Sequence, residues 1–349
     1  MSRITVLGSG AWGTAIALSL ANQGRHQVTL WSHRAKGAEI LQRDRENRHF
    51  LPGFPFPESL EITADEATAV AQADILACAI PSEFLRTTLA RITPHIALPG
   101  PASSRPIIVS TTKGIEDHTH LRMTQVIQDC LQQSFGIEGK SIPVGALSGP
   151  SFAQEVAAGQ PTAVTIAFPA AHSAAGPMIQ AAFSSPSLRL YTNTDIIGVE
   201  LGGALKNVIA IAAGVSSGVG LGLNSAAALI TRGIAEITRL AVAAGGQRET
   251  LGGLSGLGDL VLTCTGPLSR NRTVGIELGR GRKLPEILLS LDGKVAEGLR
   301  TTRAALGLAR QLNVEMPITE QMELILDHGK SPHEAIRDLM LRPARPEED

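Results

Sequence analysis

The residues best placed to do chemistry are Lys206 and Asn207, set in the GALKNVIAIAAG stretch at 203–214. The spacing predicts a helix over 199–215, with Gly202 and Gly203 one turn before Lys206 and Ala210 one turn after it. Glycines inside a helix cost about 1 kcal/mol each relative to alanine. Two readings of that bare face stand side by side. Either a ligand comes close to Lys206, or another helix packs on the small residues and the lysine reaches solvent. An ammonium beside a carbonyl oxygen can stabilise negative charge there and give up its proton. It does so reversibly near neutral pH only if burial or a second cation lowers its pKa. Lys113, in Thr111-Thr112-Lys113-Gly114 just after a predicted strand, is a candidate for that second cation.

Two further clusters could serve the same site. Gly256-Leu257-Gly258-Asp259 is followed by Ser269-Arg270-Asn271-Arg272, in which Ser269 can cap a helix. A helix N-terminus carrying arginine and asparagine suits a phosphate monoester, and a solvated basic turn is the alternative. Asp259 could orient Lys206 and balance its charge, and Asn207 could hold the substrate oxygens. Ser148-Gly149-Pro150-Ser151-Phe152-Ala153 reads as a ligand loop.

Near the N-terminus, Gly8-Ser9-Gly10-Ala11-Trp12-Gly13 is a GxGxxG sequence between an apolar strand and a helix. Gly8 permits a tight turn, Gly10 lets a pyrophosphate approach the backbone, and Gly13 lets helix and strand pack closely. The free N–H groups of the helix face the phosphates. The second strand ends in Trp31-Ser32-His33-Arg34 rather than in a carboxylate. Arg34, assisted by His33, could pair with a 2′-phosphate, which favours NADPH over NADH; the alternative is an ordinary surface arginine.

These residues need a frame. Strand-like runs at 4–7, 28–31, 75–80 and 107–110 alternate with helical segments such as 14–23, and further strands are expected at 142–146, 163–167 and 188–191. Such alternation predicts an α/β unit with a parallel, doubly wound, Rossmann-like sheet. From 195 onward the periods become helical, at 226–244, 301–312 and 319–328, and Ser331, Pro332 and Glu334 signpost a last capped helix. A dinucleotide-binding domain over 1–193 and an all-α substrate-binding domain over 194–349 are therefore expected. The 99–106 stretch, PGPASSRP, reads as a surface loop.

The 349 residues carry 31 Lys and Arg against 32 Asp and Glu, a balance that gives no electrostatic reason to expect nucleic acid. Cys78, Cys130 and Cys264 form no paired spacing, so neither a disulfide framework nor a metal site is expected, and a reducing compartment fits. The N-terminus lacks the layout of a secretory signal, which points to a cytoplasmic protein. The uncharged stretch 207–231 is too rich in Gly, Ser and Asn for a membrane span.

Taken together, GSGAWGTAIA (8–17), TTKG (111–114), SGPSFA (148–153), GALKNVIAIAAG (203–214), GLGDL (256–260), SRNR (269–272) and KVAEG (294–298) resemble the NAD(P)-dependent glycerol-3-phosphate dehydrogenase family of the bacterial type. The resemblance implies hydride transfer between NAD(P)H and dihydroxyacetone phosphate, with Lys206 exchanging the proton of the substrate oxygen. It implies that Lys113 lies near both substrate and cofactor, with Asn207, Asp259 and Thr263 as polar neighbours. Gly149 and Ser151 would touch substrate, and Ser269, Arg270 and Asn271 its phosphate. Gly8, Gly10, Ala11, Trp12, Gly13, His33, Arg34, Ala153, Arg270, Val295 and Glu297 would line the cofactor. Ala11 stands where many members carry serine, which leaves a backbone contact and no hydroxyl. The resemblance also implies a homodimer and a role in supplying phospholipid backbones. Another two-domain hydroxy-acid or sugar-acid dehydrogenase, or a non-catalytic NADP(H) sensor, is the rival reading.

Overall fold

The computed structural model describes residues 1–98, 105–291, 296–344 and 346–347. Ten strands lie in the first part of the chain: β1 (Arg3–Leu7), β2 (Gln27–Trp31), β3 (Glu46–Asn47), β4 (Leu51–Pro55), β5 (Leu60–Thr63), β6 (Ile75–Cys78), β7 (Ile107–Ser110), β8 (Val144–Ser148), β9 (Thr162–Ala167) and β10 (Leu188–Asn193). Among them run α1 (Ala11–Ala21), α2 (Ala35–Asp44), α3 (Glu66–Val70), α4 (Ser82–Ile92), α5 (Met123–Phe135), α6 (Ala153–Ala157) and α7 (Ala175–Phe183).

Eight strands form one sheet in the order β10-β9-β8-β7-β6-β1-β2-β5, and β3 and β4 form a separate hairpin. The chain winds outward through β1, β2 and β5, then returns to β6 on the other side of β1. That reversal puts a topological switch point between β1 and β6, beyond whose carboxyl ends ligands gather in open α/β sheets. The strands are apolar on both faces because both faces are covered. In β6, Ile75 and Ala77 join one core, with Ile16 and Leu20 of α1. Leu76 and Cys78 join the other, with Leu85 of α4 and Ile127 of α5. This is the period of two expected of a strand buried on both sides.

The sheet departs from the expected all-parallel order at one place. β9 runs antiparallel to β8, with Ala146 opposite Ala167, and β10 is parallel to β9. A continuous apolar run carries no mark of direction, so the sequence does not reveal this reversal. Its consequence is positional: Asn193 ends β10 on the edge of the sheet opposite the carboxyl end of β8.

From there the chain becomes helical: α8 (Ile196–Val219), α9 (Leu223–Ala243), α10 (Arg248–Leu251), a π-helical turn (Leu254–Gly258), α11 (Asp259–Thr265), α12 (Arg270–Gly279), α13 (Leu284–Ser290), α14 (Gly298–Gln311), α15 (Pro317–His328) and α16 (Pro332–Met340). Ser331 and Glu334 cap α16 reciprocally, as their spacing predicts. Among the described residues α8 is the one helix long and apolar enough to cross a membrane, and 89% of its most apolar window is buried inside the protein. The uncharged 207–231 stretch is broken at Gly220, which takes a φ of 93° and ends α8. Leu201, Leu205, Val208 and Ile211 of α8 form the centre of the helical core, with Ile237, Leu260, Val274 and Ala305 around them.

Of the 99–106 loop expected from composition, residues 99–104 lie outside the described residues, as does Val295.

Candidate functional site

The glycine turn at the end of β1 is built by close approach. Gly8 has a φ of 117°, and a Cβ there would lie 2.6 Å from the Ala79 carbonyl oxygen at the end of β6. A Cβ on Gly13 would lie 1.9 Å from the Gly8 oxygen, so only glycine lets α1 start directly above the turn. At Gly10 the same construction meets nothing within 4 Å. Gly10 occupies the N-cap of α1 and offers no side chain to it, which leaves the first N–H groups of the helix for an outside acceptor. The Trp12 indole N–H is buried without a partner. Asn47 locks the turn from the β3–β4 hairpin, its Nδ2 donating to the Ser9 oxygen at 2.8 Å and to Thr14 Oγ1 at 2.8 Å. Ser32 Oγ accepts from Ser9 Oγ at 3.0 Å. These features fit a pyrophosphate at the turn. Beside it, His33 and Arg34 are exposed after β2, and the His33 imidazole is held below its usual pKa by partial burial and by Arg34 and Arg91.

The lysines meet at the carboxyl ends of β7 and β8. α8 climbs along β8, and a Cβ on Gly203 would lie 2.2 Å from Ser148 Oγ, the last residue of that strand. One on Gly202 would lie 2.7 Å from the Ser255 carbonyl oxygen in the π-helical turn. The small residues before Lys206 therefore seat the helix against protein. Lys206, about 4.5 Å further along the axis, clears the strand end. It does not reach solvent: its side chain is 8% exposed. Its Nζ donates to Asp259 Oδ1 at 2.5 Å and to Thr263 Oγ1 at 2.7 Å. Lys113 Nζ donates to the other oxygen of the same carboxylate, Oδ2, at 2.6 Å, and to the Gly149 carbonyl at 3.2 Å. Thr263 in turn donates to the Asp259 backbone oxygen at 2.6 Å, one turn back along α11.

Two ammonium groups thus share one buried carboxylate. Burial is the largest influence on Lys206 and lowers its pKa. Asp259 opposes the fall and Lys113 adds to it, and the group comes down to about 8.

The start of α12 closes the site. Ser269 caps it, accepting from the Arg272 N–H at 3.2 Å. Asn271 is buried and its Oδ1 accepts from the Gly298 N–H at 3.0 Å, while Arg270 is exposed. Tight glycine contacts fix α12 on α8: a Cβ on Gly214 would lie 2.1 Å from the Arg272 oxygen, and one on Gly275 2.0 Å from the Ile211 oxygen. Glu297, ahead of α14, accepts from Asn207 Nδ2 at 3.4 Å. Burial raises its pKa, against the pull of Arg270, Lys113 and Lys206. Ser151 Oγ donates to the Gly149 oxygen at 2.9 Å, and Ala153 starts α6 packed against the core beside α1.

The structure therefore joins Lys206, Lys113, Asp259, Thr263 and Gly149 through direct hydrogen bonds. Arg270, Glu297 and Asn207 sit within electrostatic or hydrogen-bonding reach of that group. Gly8, Gly10, Trp12 and Gly13 gather at the neighbouring turn. One side chain that supports these groups, Asn47, escaped sequence reasoning and carried no signal. Glu200 also went unremarked, although with Lys206 it is one of two charged residues in the 24-residue α8.

Comparison with known proteins bears on this arrangement. A family described as NAD-dependent glycerol-3-phosphate dehydrogenase, N-terminus, matches residues 3–174, and its C-terminus counterpart matches 195–337. A relative from Acidobacterium capsulatum named glycerol-3-phosphate dehydrogenase, NAD(P)+, is 58% identical over 349 residues, covering 99% of this chain and 100% of its own. One of the same name from Koribacter versatilis is 51% identical over 347 residues, covering 99% of each. The crystal structure of a glycerol-3-phosphate dehydrogenase from Coxiella burnetii superposes with a TM-score of 0.89 at 38% identity, covering 98% of this chain and 99% of that one.

Proposed function

The chain belongs to the NAD-dependent glycerol-3-phosphate dehydrogenase family, and from that premise we propose that it interconverts dihydroxyacetone phosphate and sn-glycerol 3-phosphate. The observation that carries the reading is the buried Lys206–Asp259–Lys113 bridge, set where α8 passes the strand ends beside the glycine turn. When bound, the nicotinamide supplies a hydride to C2 of the ketone. The chain's own residues manage the oxygen. Lys206 Nζ donates its proton to the C2 oxygen as negative charge builds there. The burial that brings its pKa to about 8 makes the reverse transfer accessible as well. Asp259 holds Lys206 in one orientation and keeps the second cation, Lys113, beside it. Asn207 is positioned to hold a substrate hydroxyl. Arg270, Ser269 and Asn271 at the start of α12 receive the phosphate, converting remote binding energy into alignment at C2. Gly149 and Ser151 border the substrate from β8.

Gly8, Gly10, Ala11, Trp12 and Gly13 cradle the cofactor pyrophosphate, and Lys113, Ala153, Arg270 and Glu297 border the cofactor toward the substrate. Arg34 and His33 favour NADPH, because an exposed guanidinium after β2 suits a 2′-phosphate and no carboxylate competes there. The cofactor-binding unit spans 1–193 and the substrate-binding unit 194–349. The protein works in the cytoplasm as a homodimer and supplies glycerol 3-phosphate for phospholipid synthesis. The family membership supports these last assignments.

The test is NADPH oxidation with dihydroxyacetone phosphate, repeated with NADH and with 2-keto acids in place of the phosphorylated ketone. The reading expects turnover with dihydroxyacetone phosphate, faster at low NADPH than at equal NADH. Turnover confined to 2-keto acids would overturn it.

A further inference from the structure

Lys113 and Lys206 come from distant parts of the chain, and the Asp259 carboxylate is one means of fixing their separation. The segment between Lys113 and α5 offers a second means. It folds back on itself: Ile115 pairs antiparallel with Arg122, and the Glu116 N–H donates to the Leu121 oxygen at 2.9 Å. Arg122 therefore sits beside Ile115, two residues from Lys113. Ile115 is buried, and it belongs to the helical core rather than to either core of the sheet. The segment is a tongue of the sheet-bearing half inserted in the helical half.

Its far end is gripped by α8. Glu200, buried in that helix, accepts from the Thr124 N–H at 2.8 Å and from Thr124 Oγ1 at 2.6 Å, and pairs with the Arg122 guanidinium. Thr124 is the second residue of α5, so the carboxylate also meets the positive end of that helix. Glu200 and Lys206 are six residues apart on one helix, about 9 Å along its axis. The same rigid element thus carries one lysine and holds the strap that carries the other.

We propose that Glu200 is a positioning residue, which through Arg122 and Thr124 sets where Lys113 stands relative to Lys206. The inference rests on the dehydrogenase reading only for its kinetic arm. The charged and titratable groups facing Lys206 are Asp259 and Cys264 from α11, Lys113 from the tongue and Glu297 ahead of α14. If the grip is lost, Lys113 withdraws and takes with it a neighbouring positive charge. The Lys206 titration then moves up. Loss of the Glu200 charge itself acts in the opposite direction, because removing a negative charge makes an ammonium less stable. The sign of the change separates positioning from a direct electrostatic effect.

The experiment is competitive labelling of Lys206 with acetic anhydride across pH, read by mass spectrometry, in wild-type protein and in Glu200→Gln. Thr124→Val serves as a milder, charge-neutral cut that removes the Oγ1 contact and leaves the Arg122 pair in place. Both variants are expected to shift the Lys206 midpoint upward by about half a unit or more, in the direction expected of Lys113→Met. kcat for dihydroxyacetone phosphate reduction should fall about tenfold. A midpoint that stays put or falls in folded Glu200→Gln and Thr124→Val overturns the inference. The labelling arm reads out even if the wild-type protein does not reduce dihydroxyacetone phosphate, a result that would count against the proposed function alone.

Discussion

In the proposed reaction Lys206 gives up a proton in one direction and takes it back in the other, and its surroundings divide that task among named groups. Burial lowers its pKa most, Lys113 lowers it further, and Asp259 restrains the fall. Reduction needs the ammonium form. kcat/KM for dihydroxyacetone phosphate should therefore be flat at low pH and fall about tenfold per unit above a midpoint near 8. Oxidation of glycerol 3-phosphate needs the neutral amine and should rise through the same midpoint. Paired pH–rate profiles check this, and two profiles bending in the same direction would contradict it. Asp259 carries the opposite burden. In Asp259→Asn two buried or nearly buried cations lose their counter-charge, and denaturant unfolding should show a loss of roughly 3–5 kcal/mol at neutral pH. A lysine whose pKa is depressed by folding destabilises the fold below its folded value, and the cost fades as pH rises toward the unfolded value of about 10.4. Without Asp259 the Lys206 pKa falls further below about 8, so the loss should shrink as pH rises through the variant's lower midpoint toward 8 and level off above it. A loss that grows with pH would reject the bridge as the cause. The identities of these residues and the pairing of Asp259 with Lys206 were legible in the sequence; that Lys113 shares the same carboxylate was not. Asp259 lies 146 residues from Lys113, and no local pattern links positions so far apart.

At the scale of elements, the site depends on how closely α8 lies on the sheet. Gly203 has room for no side chain against Ser148 Oγ. Gly203→Ala should displace the helix, lowering kcat at least about tenfold and stability by about 1–3 kcal/mol, despite the better helix propensity of alanine. Adding Ser148→Ala removes the obstructing hydroxyl, whose Cβ lies 3.3 Å from the new methyl position, and should restore most of both. Steady-state kinetics and denaturant titration of the single and double variants check this; a double variant no better than the single one would place the damage elsewhere. Elements of this kind were partly legible. The strands β1, β2, β6 and β7 announced themselves as β-rich runs between breakers, and α8 by its period. β5 did not, because it is an edge strand interrupted by the charged Glu61, and the β3–β4 hairpin did not, because it carries Pro52, Gly53 and Pro55. The glycines of α8 signalled a close approach and could not say what approaches. The answer, a strand end and a π-helical turn, depends on tertiary packing.

The whole molecule has a core on each face of its sheet and another among its helices, and the tongue bearing Ile115 joins the two halves away from the covalent link at 193–195. Arg300 adds a bridge from α14 to Glu83 at 2.5 Å and to Asp117 at 3.4 Å, but at 49% exposure it contributes only about 0–1 kcal/mol. Burial of Ile115 is the stronger link. Ile115→Ala should cost about 2–5 kcal/mol and weaken the coupling of the halves, so that urea unfolding followed by two probes separates into two transitions where the wild type shows one. Coincident transitions in the variant would show that the halves are coupled by other contacts. This architecture was legible as a switch from strand to helix near residue 193; the tongue was not, because Ile115 in sequence is one apolar residue in a loop.

The measurement that bears most directly on the account is single-turnover oxidation of NADPH with saturating dihydroxyacetone phosphate in wild-type protein and Lys206→Met, with cofactor affinity measured alongside. The account predicts rapid turnover in the wild type and a rate at least about 100-fold lower in the variant, at unchanged NADPH affinity. A variant that turns over at near the wild-type rate would contradict it.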